Sequence, residues 1–262
     1  MTQPHALVEQ DGHKLVVTMN RPEARNALSG EMLAIMSEAW DRVNEDPEIR
    51  VCILTGAGGY FCAGMDLKAA NEKPPSENFE SGAFDPTVIK PLLKGFRLTK
   101  PLIAAVEGYA LAGGFELALV CDLIVAAKTA KFGIPEVKRG LVAAGGGLVR
   151  LPRQAPLRIA LEMALTGDIY DAETLQRMGM INRLTEEGGA LAAAIELGER
   201  IAANAPLALA VTKKVIRQSL DWPNSQSYDL QREFTSPVFQ TNDAKEGATA
   251  FAQKRAPKWT GT

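Results

Sequence analysis

Four short runs of nearly continuous apolar residues punctuate the first half of the chain, at residues 14–19 (KLVVTM), 51–55 (VCILT), 102–106 (LIAAV) and 123–126 (LIVA). Runs of this length, rich in Val, Ile and Leu, are what strands look like in a sheet buried on both faces. Between the first two the period changes. Met32, Ile35, Met36, Ala39, Trp40 and Val43 recur at helical intervals, with Ser29 placed to cap the start and Pro47 beyond the end, which predicts a helix over 29–44. Alternating strand, helix and strand make the chain α/β. Residues 70–86, with two adjacent prolines, several acids and isolated aromatics, break the pattern. They predict an exposed, mobile loop, either a lid over a site or a surface insertion. A helix at 155–165 reads as core. From Gly188 onward the pattern is helical: 190–204, 206–220, a weaker segment at 227–239, and 243–254, where Asp243 and Glu246 have capping-box spacing.

Composition narrows the function classes. The 262 residues are 46% hydrophobic and 23% charged with net charge −2, an ordinary globular balance without a basic footprint for nucleic acid or an anionic membrane. No apolar run approaches the roughly 20 residues of a membrane span. The first residues lack the basic-then-apolar pattern of a signal peptide. Cys52, Cys62 and Cys121 show no paired spacing and read as buried, reduced thiols of a cytoplasmic protein. The two histidines, His5 and His13, both precede everything that resembles a site. A His-based triad or metal centre would need one of them to reach back into the core, so acid/base work falls to carboxylates, Lys, Tyr or Cys.

Three segments combine glycine, small residues and an acid: 61–68 (FCAGMDLK), 107–122 (EGYALAGGFELALVCD) and 132–141 (FGIPEVKRGL), the last followed by AAGGG at 143–147. In the second, Gly113 and Gly114 open a helix and allow close backbone approach. Free N–H groups and the positive dipole end of that helix form a site for developing negative charge. Glu116 follows among apolar neighbours that raise a carboxyl pKa. Two readings of it stay open at this level: an acid capping the helix start, or a reactive acid. Glu136 can likewise be read as the ordinary Pro-Glu start of a turn. The glycines of 145–147 can be a flexible turn. A Gly56-x-Gly58 pattern after the second strand is too incomplete to indicate a dinucleotide fold.

The run ALAGGFELALVCD followed by FGIPEVKRGL resembles the enoyl-CoA hydratase/isomerase (crotonase) superfamily, as do NRPEARNALS at 20–29, CAGMDLK at 62–68, LTGD at 165–168 and DAKEGATAFAQKR at 243–255. The likeness spans nearly the whole sequence. It implies a crotonase-like spiral of repeated ββα units, with residues 1–200 as the core holding coenzyme A and the active site. Residues 201–262 would be a helical region for trimer or hexamer formation and closure over CoA. It implies Glu116 and Glu136 as paired catalytic acids and the N–H groups of Met65 and Gly113 as the oxyanion hole. Glu23, Ala24, Arg25, Ala63, Asp66, Leu67 and Lys68 would line CoA or substrate, and Phe251 and Lys254 would reach a neighbouring subunit's CoA. No metal or separate cofactor is implied, coenzyme A being part of the substrate.

The activity so implied is reversible hydration of a 2-enoyl-CoA. Isomerisation, dehydration of a specialised 3-hydroxyacyl-CoA, and non-catalytic acyl-CoA binding are the alternatives. Two positions depart from the common hydratase pattern. Ala144 stands where a glycine amide helps to place the water, and Ile134 where a polar residue is frequent. The pattern of residues 140–153 is similar to that of carnitinyl-CoA dehydratase-like members, which leaves the acyl group open.

Overall fold

The structure, a computed structural model, describes residues 3–66 and 89–262. The 70–86 loop, Leu67 and Lys68 lie outside the described residues. β1 (Ala6–Asp11) and β2 (Lys14–Met19) form an antiparallel hairpin with Ala6 opposite Met19. β3 (Val51–Gly56), β4 (Leu102–Val106), β6 (Leu123–Ala127) and β9 (Arg183–Thr185) add in parallel to give a six-stranded sheet in the order β1-β2-β3-β4-β6-β9. A smaller sheet contains β5 (Tyr109–Leu111), β7 (Lys131–Gly133) and β8 (Tyr170–Asp171) in the order β5-β7-β8. The chain passes from large sheet to small sheet twice in succession, β4 to β5 and β6 to β7, each time followed by helix. That is the repeated ββα spiral.

The four apolar runs are strands buried on both faces. Val51, Ile53, Ile103, Ala105 and Val125 face α6 (Ala190–Ala202), while Cys52, Leu54, Leu102, Ala104 and Ala126 face the main core. This two-residue alternation between two apolar layers leaves no polar face, so the sequence pattern is continuous. On the main-core side, α1 (Gly30–Glu45) buries Met32, Met36, Ala39, Trp40 and Val43. Ser29 caps it by accepting the Met32 N–H at 3.2 Å.

α2 (Gly113–Val120) is buried along its whole length, which suits its uniformly apolar sequence. α3 (Gly147–Arg150), α4 (Leu157–Thr166) and α5 (Ala172–Arg177) follow. Only Ala160 and Met163 of α4 are buried; Leu157, Leu161 and Leu165 are exposed, so the reading of this helix as core holds for one face alone.

Beyond α6 lie α7 (Pro206–Ser219), α8 (Ser227–Thr235) and α9 (Asn242–Ala252). The weaker segment at 227–239 divides into α8 and a 3-10 turn, Ser236–Gln240. α7 is fixed to the core by Asp122, which meets Lys213 Nζ at 2.7 Å and Arg217 Nη2 at 2.9 Å and accepts the Leu102 N–H. The capping box at Asp243 and Glu246 is not formed. Thr241 caps α9 by accepting the Ala244 N–H, and buried Asp243 instead accepts the Thr260 and Gly261 N–H groups of the C-terminal tail. Glu246 takes Arg255 and the Lys258 N–H. Polar residues near a helix start bind whichever donors are within reach, and here the tail supplies them. Among the described residues, no helix is long and apolar enough to cross a membrane.

Candidate active site

The N-terminus of α2 is built against residues 62–66. Cys62 bridges Ala110 of β5, and Leu28 bridges Met65. In the second bridge the Leu28 N–H donates to Gly64 O at 2.8 Å and the Asp66 N–H donates to Leu28 O at 3.3 Å. The intervening Met65 amide is thereby turned away from Leu28, toward α2. A Cβ on Gly113 would lie 3.7 Å from the Met65 nitrogen, so the two amides are neighbours. Among the described residues neither N–H donates a hydrogen bond.

The approach is close enough to dictate glycine. A side chain on Gly114 would run into Cys62 O, and one on Gly64 would meet the Ala112 Cβ at 2.9 Å. Ala112, just before the helix, has φ 51° and ψ −126°, a strained conformation for an L-residue that costs about 1–3 kcal/mol. It is held by its N–H donation to Gly133 O at 2.9 Å. Two unpaired amides beside a helix N-terminus can take an oxygen on which negative charge develops.

Glu116 is the fourth residue of α2 and 4% exposed. Its carboxylate does not cap the helix. Oε1 accepts the Gly147 N–H at 2.7 Å, from the next loop. Residues 145–147 wrap the carboxylate so tightly that a Cβ on Gly145 would sit 2.8 Å from Glu116 Cδ, and one on Gly147 would sit 3.0 Å from Oε1. The glycines are thus a fitted cradle rather than a flexible turn. The Ala144 N–H is occupied in the loop, donating to Val142 O at 2.8 Å, and the Gly147 amide is the one that meets the acid. Burial pushes the Glu116 carboxyl up, opposed by the Gly147 and Gly145 amides and by the charges of Lys94 and Arg150.

Glu136 sits in the first turn of a 3-10 segment, Pro135–Arg139. The Pro-Glu pair does start a turn, and it also carries the second acid: Oε2 is buried with no hydrogen-bond partner among the described residues. Burial pushes this carboxyl up to about 7; its own backbone N–H and Arg139 oppose the rise, and the Glu116 charge adds to it. The two acids therefore sense each other across one site. One is cradled by donors and the other has a bare oxygen, an environment that separates a base from an acid. Ile134, beside this acid, is 1% exposed and belongs to the core.

A whole-chain likeness accompanies this geometry. The enoyl-CoA hydratase/isomerase family profile matches residues 10–262. The chain belongs to that family. It is 53% identical over 256 residues, 98% of this chain and 96% of the other, to the enoyl-CoA hydratase EchA19 of Mycobacterium tuberculosis. It is 42% identical over 258 residues, 96% of this chain and 97% of the other, to a carnitinyl-CoA dehydratase of Salmonella typhi. The crystal structure of the enoyl-CoA hydratase EchA1 of Mycobacterium marinum superposes with a TM-score of 0.91 at 52% identity, covering 99% of this chain and all of that one.

As an enoyl-CoA hydratase/isomerase family member, the chain also brings its 20s segment to the same place. Glu23 and Ala24 lie on the 3-10 turn Pro22–Ala24, and left-handed Arg25 follows it. Arg25 O accepts the Ala63 N–H at 3.0 Å, and Arg21 pairs with Asp66 at 3.1 Å. The Arg25 guanidinium lies over the stacked rings of Tyr60 and Tyr109. Buried Asn26 staples the turn, donating to Ala57 O and Tyr60 O and accepting the Arg21 N–H. Phe251 and Lys254 stand apart at the end of α9; Phe251 is 87% exposed. Two cavities, of about 350 and 270 Å³, open along the C-terminal tail and include neither acid. Their lining follows the Asp243 and Glu246 contacts, so they mark tail packing.

Sequence reasoning missed Lys94 and Arg150. Lys94 Nζ donates to Ala144 O at 2.6 Å. Arg150 Nη1 donates to Gly145 O at 3.1 Å and its Nη2 to Leu92 O at 2.6 Å. Each binds a carbonyl 50 or more residues away, Ala144 O for Lys94 and Leu92 O for Arg150, and such contacts leave no mark on a local pattern.

Proposed function

We propose that the chain is an enoyl-CoA hydratase, adding water reversibly across the 2,3 double bond of a 2-enoyl-CoA thioester. The observation that carries this reading is the meeting of two unlike acids, one buried and one half-buried, beside two amides that are unpaired among the described residues. The Met65 and Gly113 N–H groups bind the thioester oxygen and make Cβ electrophilic. Glu116 takes a proton from water as its oxygen attacks Cβ, and Glu136 gives its proton to Cα. The roles reverse in dehydration. The chemistry needs only these groups, with coenzyme A as part of the substrate.

Coenzyme A would run along Glu23, Ala24, Arg25, Ala63 and Asp66; Leu67 and Lys68, which the resemblance also implies, lie outside the described residues. Phe251 and Lys254, exposed at the end of α9, suit contact with a neighbouring subunit's CoA in a trimer or hexamer. Three buried free thiols suit a cytoplasmic protein. Dehydration of a specialised 3-hydroxyacyl-CoA is the second reading, favoured by the 42% identity to a carnitinyl-CoA dehydratase. Purified protein offered a panel of 2-enoyl-CoA esters should consume the enoyl-thioester absorbance and form 3-hydroxyacyl-CoA. Absence of water addition with every ester, alongside turnover of a 3-hydroxyacyl-CoA with another polar substituent, would favour the second reading.

A further inference from the structure

Arg150 lies on α3, at the far end of the glycine loop from Glu116, and is half-buried. Its guanidinium donates to Gly145 O at 3.1 Å, to Leu92 O at 2.6 Å and to Leu93 O at 3.5 Å. It thus joins two segments more than 50 residues apart: the loop that cradles Glu116, and the turn that follows the 3-10 segment Lys90–Leu92. The loop is shaped to admit it. Gly146 has φ +109°, and a side chain there would collide with the guanidinium. Lys94 fixes the same loop from the other side through Ala144 O. Among the described residues Arg150 makes no ion pair with Glu116 within 4 Å, so its effect on the acid passes through the loop and its field.

We propose that Arg150 is a positioning residue for the acid that activates water: by clamping the glycine loop to the 92–93 turn it holds the Gly147 amide on Glu116 and keeps that carboxylate charged. The proposal rests on the hydratase reading for its kinetic consequence, but not for its electrostatic one. Arg has the planar, multi-donor head that spans several carbonyls at once; Lys carries the charge without that reach.

The groups facing Glu116 from its neighbours are few. Arg150 and Lys94 lower its pKa, and the Glu116 charge in turn raises that of Glu136. From the remaining packed elements, Tyr109 of β5 lies against Tyr60 and Arg25, and Lys90 is paired with Asp41. Removing the Arg150 charge therefore moves the titration of Glu116 upward, Lys94 being the other cation that acts on it among the described residues.

The test compares Arg150→Met and Arg150→Lys in wild-type and Glu116→Gln backgrounds. Two quantities are read: steady-state hydration of a short 2-enoyl-CoA, and the Glu116 carboxyl titration by ¹³C NMR, assigned by its loss in Glu116→Gln. Arg150→Met should raise the Glu116 titration by about one pH unit and lower kcat about 30-fold, with KM within about 3-fold. Arg150→Lys should leave the titration nearer to wild type and recover part of kcat. In the Glu116→Gln background, either change should cost under about 3-fold more.

An unmoved titration in Arg150→Met, or a full extra cost in the Glu116→Gln background, would overturn the proposal. Should Arg150→Met fail to fold, Arg150→Lys decides: full wild-type kcat would overturn it, and a loss absent from the Glu116→Gln background would support it. A wild-type protein without hydratase activity would sink the hydratase reading, while the NMR titration would still report the link between Arg150 and Glu116.

Discussion

Glu116 is buried and Glu136 half-buried with one buried carboxyl oxygen, and what separates them is the supply of donors. Glu116 receives the Gly147 amide and the fields of two cations, whereas Glu136 keeps an oxygen without a partner among the described residues and a carboxyl pKa raised to about 7. In the proposed hydration mechanism, Glu136 starts protonated. The hydration kcat/KM should therefore fall as pH rises through about 7, and that of dehydration should rise over the same range; a pH–rate profile in both directions checks this.

The stability consequence has a definite sign. A carboxyl with a raised folded pKa binds more protons folded than unfolded between about 4.5 and about 7, so its contribution is full below that window and is lost as pH rises through it. Glu136→Gln should accordingly raise the melting temperature at pH 8, by roughly 2–4 °C after allowing for solvent screening, and change it little at pH 5. Gly145→Ala tests the cradle. Its Cβ would press on the Glu116 carboxyl, and kcat should fall about 10-fold or more with the fold retained. Glu116 was marked in the sequence by the glycines and apolar neighbours around it, whereas Glu136, in a Pro-Glu pair that reads as an ordinary turn start, was marked only by the family resemblance. Lys94 and Arg150 were not legible, since they bind backbone carbonyls 50 and 58 residues away.

At the scale of elements, what could be read depended on length and on burial. Strands of five or six residues between two apolar layers, such as Leu102–Val106, carry a continuous apolar signal. β5, β7, β8 and β9 have two or three residues each, too short for any period, and they exist because the spiral sets them side by side. Asp243 shows the opposite failure, a good local signal overridden by distant donors at Thr260 and Gly261. The docking of α7 is likewise a tertiary matter. Asp122 holds Lys213 and Arg217 together with the Leu102 amide, and Lys213 is mostly buried. Asp122→Ala would leave that cation without its carboxylate and should cost about 3 kcal/mol, read by urea unfolding.

For the whole molecule, the ββα spiral places the two sheets so that α2 starts at the seam between them, with the 62–66 segment on one side and the 143–147 loop on the other. With the Pro135–Arg139 turn that carries Glu136, the site is a product of four chain segments brought together by topology. The same fold leaves Leu157, Leu161 and Leu165 exposed on one face of α4, at four-residue spacing. An apolar helix face of this kind suits burial between subunits. If the proposed trimer or hexamer buries this face, Leu161→Glu should reduce the mass measured by light scattering toward that of one chain, whereas an unchanged mass would count against that role for α4. The pairing of the two acids is tested by measuring kcat for Glu116→Gln, Glu136→Gln and the double variant, with binding of a CoA ester followed in parallel. Each single change should lower kcat by about 100-fold or more, the double by little further, with binding preserved. Near-normal turnover in either single variant would contradict the account.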